Sequence, residues 1–346
     1  MRASRILCWL LLVVPCALAC AAPLAKPAAV QPTVRPLHRG PLSDLVSAAG
    51  LRWLVLAKPQ QILTEPELGP AIAQVIPSPR FVAFAEASGV DLRTVPEAVV
   101  ASFPYSTLYL AALPHDVAAL ARARFSDRLL SGAVTKRPHP GLVRITGVIG
   151  QTPETLLTVE ERALAVAVGD PLPVKITEAY AEERLRASPT ALRGAALSAL
   201  PDLWTENPFV LLAPGPFPNE WQQAAGGLLQ SAVALAIAVR PIGHGKLATT
   251  LYLAGAWQSS AIDAAKRLEE AWLAFAHSST GRLFELSDIA QVEVNPELLT
   301  LRVEVELATL VRGIRATVLG DLSQILLVPG RTTSDEPDKP ATQSPE

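Results

Sequence analysis

The sequence is poor in charged residues, in cysteine and in any basic surplus, and each shortage excludes a class of protein. Only 18% of the residues are charged while 50% are hydrophobic, which excludes an intrinsically disordered chain over most of the length. Lys and Arg total 30 against 32 Asp and Glu, so the chain lacks the basic excess of a typical nucleic-acid-binding protein. A length of 346 residues is enough for about two domains.

All three cysteines lie within the first 20 residues, at Cys8, Cys16 and Cys20. The remainder of the chain therefore cannot form internal disulfides, build a thiolate metal site or use a cysteine nucleophile.

Motifs that carry catalysis are also missing. The sequence contains no GxxxxGK[ST] phosphate loop, HExxH zinc helix, EF-hand loop, GxSxG elbow or SxxK pair. No two of the five histidines lie within a helical turn of each other, so their spacing indicates no metal site. The carboxylates Glu160, Glu161, Glu178, Glu182 and Glu183 are interpreted as solvated turn and helix faces. We predict no catalytic residue, no metal and no cofactor, which favours a non-enzymatic protein.

The first 20 residues have the pattern of an export signal. Arg2 and Arg5 precede an apolar run at 6–14 that is shorter than the roughly 20 residues needed to span a bilayer. Residues 17–19 then form an A-x-A cleavage site, so residues 1–19 are predicted to be a signal peptide.

Residues 17–20, ALAC, also resemble the lipobox of bacterial lipoproteins, in which the cysteine becomes the lipid-modified first residue. Ala19 and Cys20 fit the pattern, whereas Ala17 and Leu18 depart from its usual Leu and small residue. With the tether described next, the layout resembles uncharacterised predicted lipoproteins of Gram-negative bacteria. That resemblance implies lipidation at Cys20 and a membrane partner. Because Ala21 follows the cysteine, it also implies the outer membrane, facing the periplasm. The alternative is an ordinary cleavage site and a secreted or periplasmic protein.

Two segments are predicted to lie outside the folded body. Residues 20–42 contain five prolines, which forbid a continuous helix and favour an extended tether. Residues 330–346 are polar and almost free of apolar side chains, and are predicted to be a disordered tail.

The body has the signs of an internal duplication. TLYLA occurs at 107–111 and again 143 residues later at 250–254. The same offset aligns Arg124 with Arg267, Leu156 with Leu299, and the Pro-Glu pair at 153–154 with that at 296–297. We therefore predict two similar tandem halves, 43–190 and 191–329.

Each half is predicted to pack antiparallel hairpins against helices, which gives an α+β fold. Hairpins are expected at 99–111, 233–253 and 291–307, and helices at 115–130, 262–276 and 308–327. Along 299–307 apolar residues alternate with polar ones, so one face of that strand should be exposed to solvent. The apolar run 224–239 is interpreted as a helix end and a buried strand, not a membrane span.

One loop is a candidate ligand site. Gly243, His244, Gly245 and Lys246 could present an anion-binding loop, because two glycines let the backbone approach a ligand closely. The alternative, which we favour, is a hairpin turn that requires positive φ.

Tryptophans offer a second candidate, since five of them, Trp53, Trp204, Trp221, Trp257 and Trp272, could line a groove for sugar or lipid. Trp272 is spaced with Leu268 and Phe275 as on a helix, and is interpreted as core.

Three functions remain open. The first is a non-enzymatic envelope lipoprotein with a binding or structural role, whose partner is another envelope protein. The second is a carrier of an apolar, lipid-like ligand between sheet and helices, which predicts a continuous apolar cavity. The third is a periplasmic hydrolase without a recognisable motif.

Overall fold

The computed structural model describes residues 36–326. The predicted signal peptide, Cys20, the tether up to residue 35 and the tail at 330–346 lie outside the described residues. Within the described part of the chain, no helix is both long enough and apolar enough to cross a membrane.

In the described part of the chain, twelve strands form a single antiparallel sheet in the order β11-β12-β10-β9-β8-β1-β2-β3-β7-β6-β5-β4. They are β1 (Trp53–Ala57), β2 (Ala98–Phe103), β3 (Ser106–Ala112), β4 (Ser131–His139), β5 (Leu142–Ile149), β6 (Thr152–Val159), β7 (Ala163–Gly169), β8 (Phe209–Pro214), β9 (Ala232–Gly243), β10 (Lys246–Gly255), β11 (Gln291–Val294) and β12 (Leu298–Glu306).

Within residues 36–326, nine α-helices join or flank these strands. They are α1 (Pro59–Thr64), α2 (Leu68–Val75), α3 (Ser78–Ser88), α4 (Val117–Arg128), α5 (Leu172–Ala181), α6 (Asn219–Ala224), α7 (Ala261–Ala276), α8 (Ser279–Leu283) and α9 (Leu307–Leu326). The predicted α+β class is confirmed, as are the three hairpins and the helices α4, α7 and α9. The run 224–239 is a helix end followed by a strand, as expected.

Directly opposed residues place the two faces of the sheet. Register pairs run without interruption from Ile145 on β5 through Val55 on β1 to Leu301 on β12, so these side chains share one face. We call this side of the sheet the second face and the opposite side the first face. In the first half α4 covers it, where Phe125 packs with Ile145 and Leu156. In the second half α7 covers it.

The opposite, first face holds the largest core. Leu54 and Leu56 of β1 are buried there with Val210 and Leu212 of β8. Helix α5 and the 3-10 helices at 42–45, 191–193 and 197–199 cover this face. An ion pair is buried with α5, where Glu178 is only 5% exposed and pairs with Arg144 of β5. The interpretation of Glu178 as solvated is therefore wrong.

The folded body begins before the predicted boundary at residue 43. Leu37 is 4% exposed in the core of the first face, and the backbone N–H of His38 donates to the carbonyl of Ala181 at 2.8 Å. Residues 37–42 thus belong to the body and not to the tether.

The strands of the two halves meet at β1 and β8, which pair antiparallel with Leu54 opposite Leu212. An offset of 143 places β3 on β10 and α4 on α7. It also places Leu156 of β6 on Leu299 of β12, but β10 pairs with β12 whereas β3 pairs with β7. The sequence match after α4 therefore does not align equivalent strands, and the duplication stays a prediction.

Candidate functional site

A large apolar cavity lies on the second face of the sheet in the second half of the chain. Its volume is about 610 Å³, within the range of roughly 300–1,000 Å³ that small-molecule sites occupy. The sheet forms its floor, and helices and loops form its roof.

Alternate residues of three neighbouring strands make the floor, because successive side chains of a strand point to opposite faces. Ile237 of β9 lies opposite Leu251 of β10, which lies opposite Leu301 of β12. The floor residues are Leu235, Ile237, Val239, Leu247, Thr249, Leu251, Leu253, Leu301, Val303 and Val305.

The roof comes from the segment after β8, from α7, from the segment around α8 and from α9. Helix α7 contributes one apolar stripe at helical spacing, consisting of Leu268, Ala271, Trp272 and Phe275. The other roof residues are Trp221, Ala225, Leu228, Leu229, Phe284, Leu286 and Leu310.

The cavity has a closed floor and an open mouth. Leu253 and Leu301 at its base are each 1% exposed, whereas Trp221 and Phe275 are 44% and 46% exposed. The indole Nε1 of Trp272 donates to the carbonyl of Ser287 at 3.0 Å, so its polar end is paired with the protein. Trp272 is half-buried, lines the cavity wall and packs against the hydrophobic core of the second half, as its interpretation as core predicted.

The lining fits an uncharged ligand. Among the described residues that form it, none carries a charge, and Thr249 supplies the only hydroxyl. Because burying an unpaired charge is very unfavourable, such a site selects apolar groups. It offers no nucleophile and no acid–base pair.

A smaller apolar cavity of about 190 Å³ lies beside the large one. Side chains of α1, α2 and α9 form much of its wall, together with the ends of β8, β9 and β10. Val239, Leu247 and Leu310 line both cavities.

The predicted loop at Gly243, His244, Gly245 and Lys246 is the turn between β9 and β10. Gly243, His244 and Gly245 all have positive φ, at 80°, 55° and 70°, as a tight hairpin with glycine at its left-handed positions requires.

Carboxylates of the same chain already engage this loop. The Gly245 N–H donates to the Glu67 carboxylate at 3.1 Å. The Lys246 ammonium lies 3.1 Å from Glu304 and 3.9 Å from Glu306, and the hydrogen bond with Glu304 raises the pKa of Lys246. These contacts favour the turn over the anion-binding interpretation.

Of the five tryptophans, the structure brings Trp221 and Trp272 together at the large cavity. Trp257 is buried near its base, with Nε1 3.3 Å from the Leu253 carbonyl. Trp204 lies under the Lys58 ammonium at 4.7 Å, and Trp53 is half-buried.

Between residues 36 and 326, no three His, Cys, Asp or Glu side chains are grouped so that they could hold a metal ion. Comparisons with known proteins add no assignment, because no protein-family model, curated protein or solved structure matches this chain.

Proposed function

We propose that this protein is a non-enzymatic envelope lipoprotein, anchored through Cys20, whose second half binds an apolar, lipid-like ligand. The observation that carries the binding function is the cavity of about 610 Å³ between sheet and helices, with its uncharged lining. A carrier of this kind requires such a cavity, whereas a filled core would have excluded it.

The shape of the floor supports an acyl chain as the occupant. Along β10 the lining runs from Leu247 to Leu253, about 20 Å at the rise of a strand. Three adjacent strands span only about 10 Å across. An extended hydrocarbon fits a floor that is longer than it is wide, and each buried methylene contributes about 0.8 kcal/mol.

A comparison of the two halves gives further support. At the offset of 143 residues, Phe125 of α4 corresponds to Leu268 of α7. Phe125 is 1% exposed and fills the space between its helix and the sheet. The smaller Leu268 lines the large cavity at the corresponding place. The second half thus has an open space where the first half has an aromatic ring.

Titration with a fluorescent fatty acid tests the binding function. Ala271 lines the cavity, so Ala271→Phe should weaken probe binding by tenfold or more. Ala274 lies on the same helix but is exposed, so Ala274→Phe is a matched control and should bind like the wild type. Equal affinity of all three proteins would refute the cavity as the site. Binding only after removal of residues 327–346 would identify that segment as the natural occupant and refute the carrier function.

The anchor is tested separately, since it rests on the sequence of the first 20 residues. Metabolic labelling with a fatty-acid analogue should mark the wild type and leave Cys20→Ser unmarked. Labelling of both proteins would contradict lipidation at Cys20. Labelling of neither would contradict the anchor and leave a secreted or periplasmic carrier.

The duplication is also part of the proposal. In each half a hairpin follows the central strand, β2–β3 after β1 and β9–β10 after β8, and a helix follows each hairpin. The antiparallel pair β1–β8 lies between the two sets of strands. This arrangement supports two copies of one ancestral unit, the second of which acquired the cavity.

A further inference from the structure

The two apolar cavities are neighbours on one strip of the sheet. Val239 of β9 and Leu247 of β10 belong to the floor of both. Both residues lie near the β9–β10 turn, at the opposite end of the large cavity from Leu235 and Leu253. Among the described helical residues, Leu310 alone lines both cavities. The side chain of Leu310 thus lies where the two spaces meet.

We propose that Leu310 is a partition that sets the length of acyl chain the protein binds. This inference rests on the proposed binding function. With Leu310 in place, a chain fills the large cavity and ends at this side chain. Without it, the chain continues over the shared floor into the smaller cavity.

The backbone around Leu310 is held on both sides, which fixes the partition in place. The Leu307 N–H donates to the Gly245 carbonyl at 2.8 Å. Arg312 lies 3.2 Å from the Glu285 carboxylate. Gly313 packs so closely on the ring of Phe284 that a Cβ would come within 2.3 Å of it. Shortening the side chain at 310 should therefore open a passage without moving α9.

The two cavities have different sizes and one kind of lining. The smaller space adds about 190 Å³ to about 610 Å³. Its wall is apolar apart from Arg240. The lining of the smaller cavity therefore does not disfavour a longer hydrocarbon chain. The partition at Leu310 determines the longest chain that binds tightly.

The test measures the affinity of saturated fatty acids of increasing length by displacement of a fluorescent probe. For the wild type, affinity should rise about fourfold per methylene until the chain reaches Leu310, and then stop rising. Leu310→Ala should extend the rise by at least two carbons. Leu310→Val, a milder change for a variant that folds poorly, should move the limit in the same direction by less.

Leu286→Ala is the matched control, because Leu286 is also half-buried and lines only the large cavity. It widens that cavity without opening the divide, so its chain-length limit should equal that of the wild type. An unchanged limit in both Leu310 variants, or the same extension in Leu286→Ala, would overturn the partition while the binding function stands. Failure of the wild type to bind any chain would overturn both.

Discussion

Gly245 donates its backbone N–H to the carboxylate of Glu67 at 3.1 Å, although the two residues are 178 positions apart in the chain. The contact ties the β9–β10 turn of the second half to the start of α2 in the first. Helix α9 begins beside it, through the hydrogen bond from Leu307 to Gly245. The turn therefore connects the β9–β10 hairpin with the starts of α2 and α9 through hydrogen bonds.

Removing this carboxylate should destabilise the fold. Glu67→Ala leaves the Gly245 N–H without its charged acceptor and should lower the free energy of unfolding by about 1–2 kcal/mol. Glu67→Gln keeps an acceptor oxygen and should lower it by less. Urea denaturation measures both, and equal stability of Glu67→Ala and the wild type would contradict the role of the contact.

Filling the large cavity should weaken ligand binding and stabilise the fold. Leu268→Phe places in α7 the ring that Phe125 places in α4, and should raise the free energy of unfolding by about 0.5–2 kcal/mol. It should weaken the binding of a fluorescent fatty acid by tenfold or more. The reciprocal change Phe125→Leu should lower stability and leave probe affinity unchanged. Unaltered binding by Leu268→Phe would show that the ligand lies elsewhere.

The hydroxyl of Thr249 tests how strictly the cavity requires an apolar ligand. Thr249→Val removes the only hydroxyl among the described lining residues at nearly constant shape, and should bind the fatty-acid probe at least as tightly as the wild type. Thr249→Asp places an unpaired charge on the floor and should abolish binding. Thermal melting establishes that both variants fold. Full binding by Thr249→Asp would contradict an apolar occupant.

The buried ion pair between Glu178 and Arg144 should be far more sensitive than an exposed one. Glu178→Ala leaves Arg144, whose side chain is only 15% exposed, without its partner and should lower the free energy of unfolding by about 3 kcal/mol. Glu293 and Arg302 form a pair at 2.9 Å with both side chains more than half exposed. Glu293→Ala should change stability by less than about 1 kcal/mol. Similar losses in the two variants would contradict this distinction.

Glu97 should make the protein less stable as pH rises. Burial raises the pKa of Glu97, and the backbone hydrogen bond with Leu42 offsets this only in part. Oε1 of Glu97 is buried and has no hydrogen-bond partner. The folded state therefore keeps this proton to a higher pH than the unfolded state, so stability falls as pH rises above the ordinary glutamate value of 4.5.

Glu97→Gln should remove that contribution. Urea denaturation of both proteins between acidic and neutral pH measures the difference, which should favour the variant increasingly as pH rises. A constant difference across this range would contradict the buried carboxyl as its source.

Patterns along the sequence predicted the elements with a clear inside and outside. The alternation along 299–307 placed Leu299, Leu301 and Val303 on the buried face of β12, and all three are buried. β4 was missed because nearly all its residues are exposed and it lies at the edge of the sheet, where no apolar alternation is needed.

Helix α5 was missed for a different reason. It starts beside two prolines, and both Glu178 and Thr177 within it are buried. Sequence alone treats such a carboxylate as solvated, since its partner Arg144 is 34 residues away on another element.

The cavity could be predicted only as one of three possibilities. Alternation along β9, β10 and β12 shows which side chains face a helix layer, but not how far from the sheet that layer lies. The difference between Phe125 and Leu268 at one offset is the signal that could have located it. The helical spacing of Trp272 correctly predicted that its side chain faces the sheet. It could not predict that a cavity lies beside the ring.

The seam between β1 and β8 has a consequence for how the molecule is divided. Either half produced alone would present unpaired backbone N–H and C=O groups along the four residues by which β1 and β8 pair. Exposed rows of that kind recruit other strands and promote self-association. Truncation between the two predicted halves would therefore yield fragments that self-associate and not two independent domains.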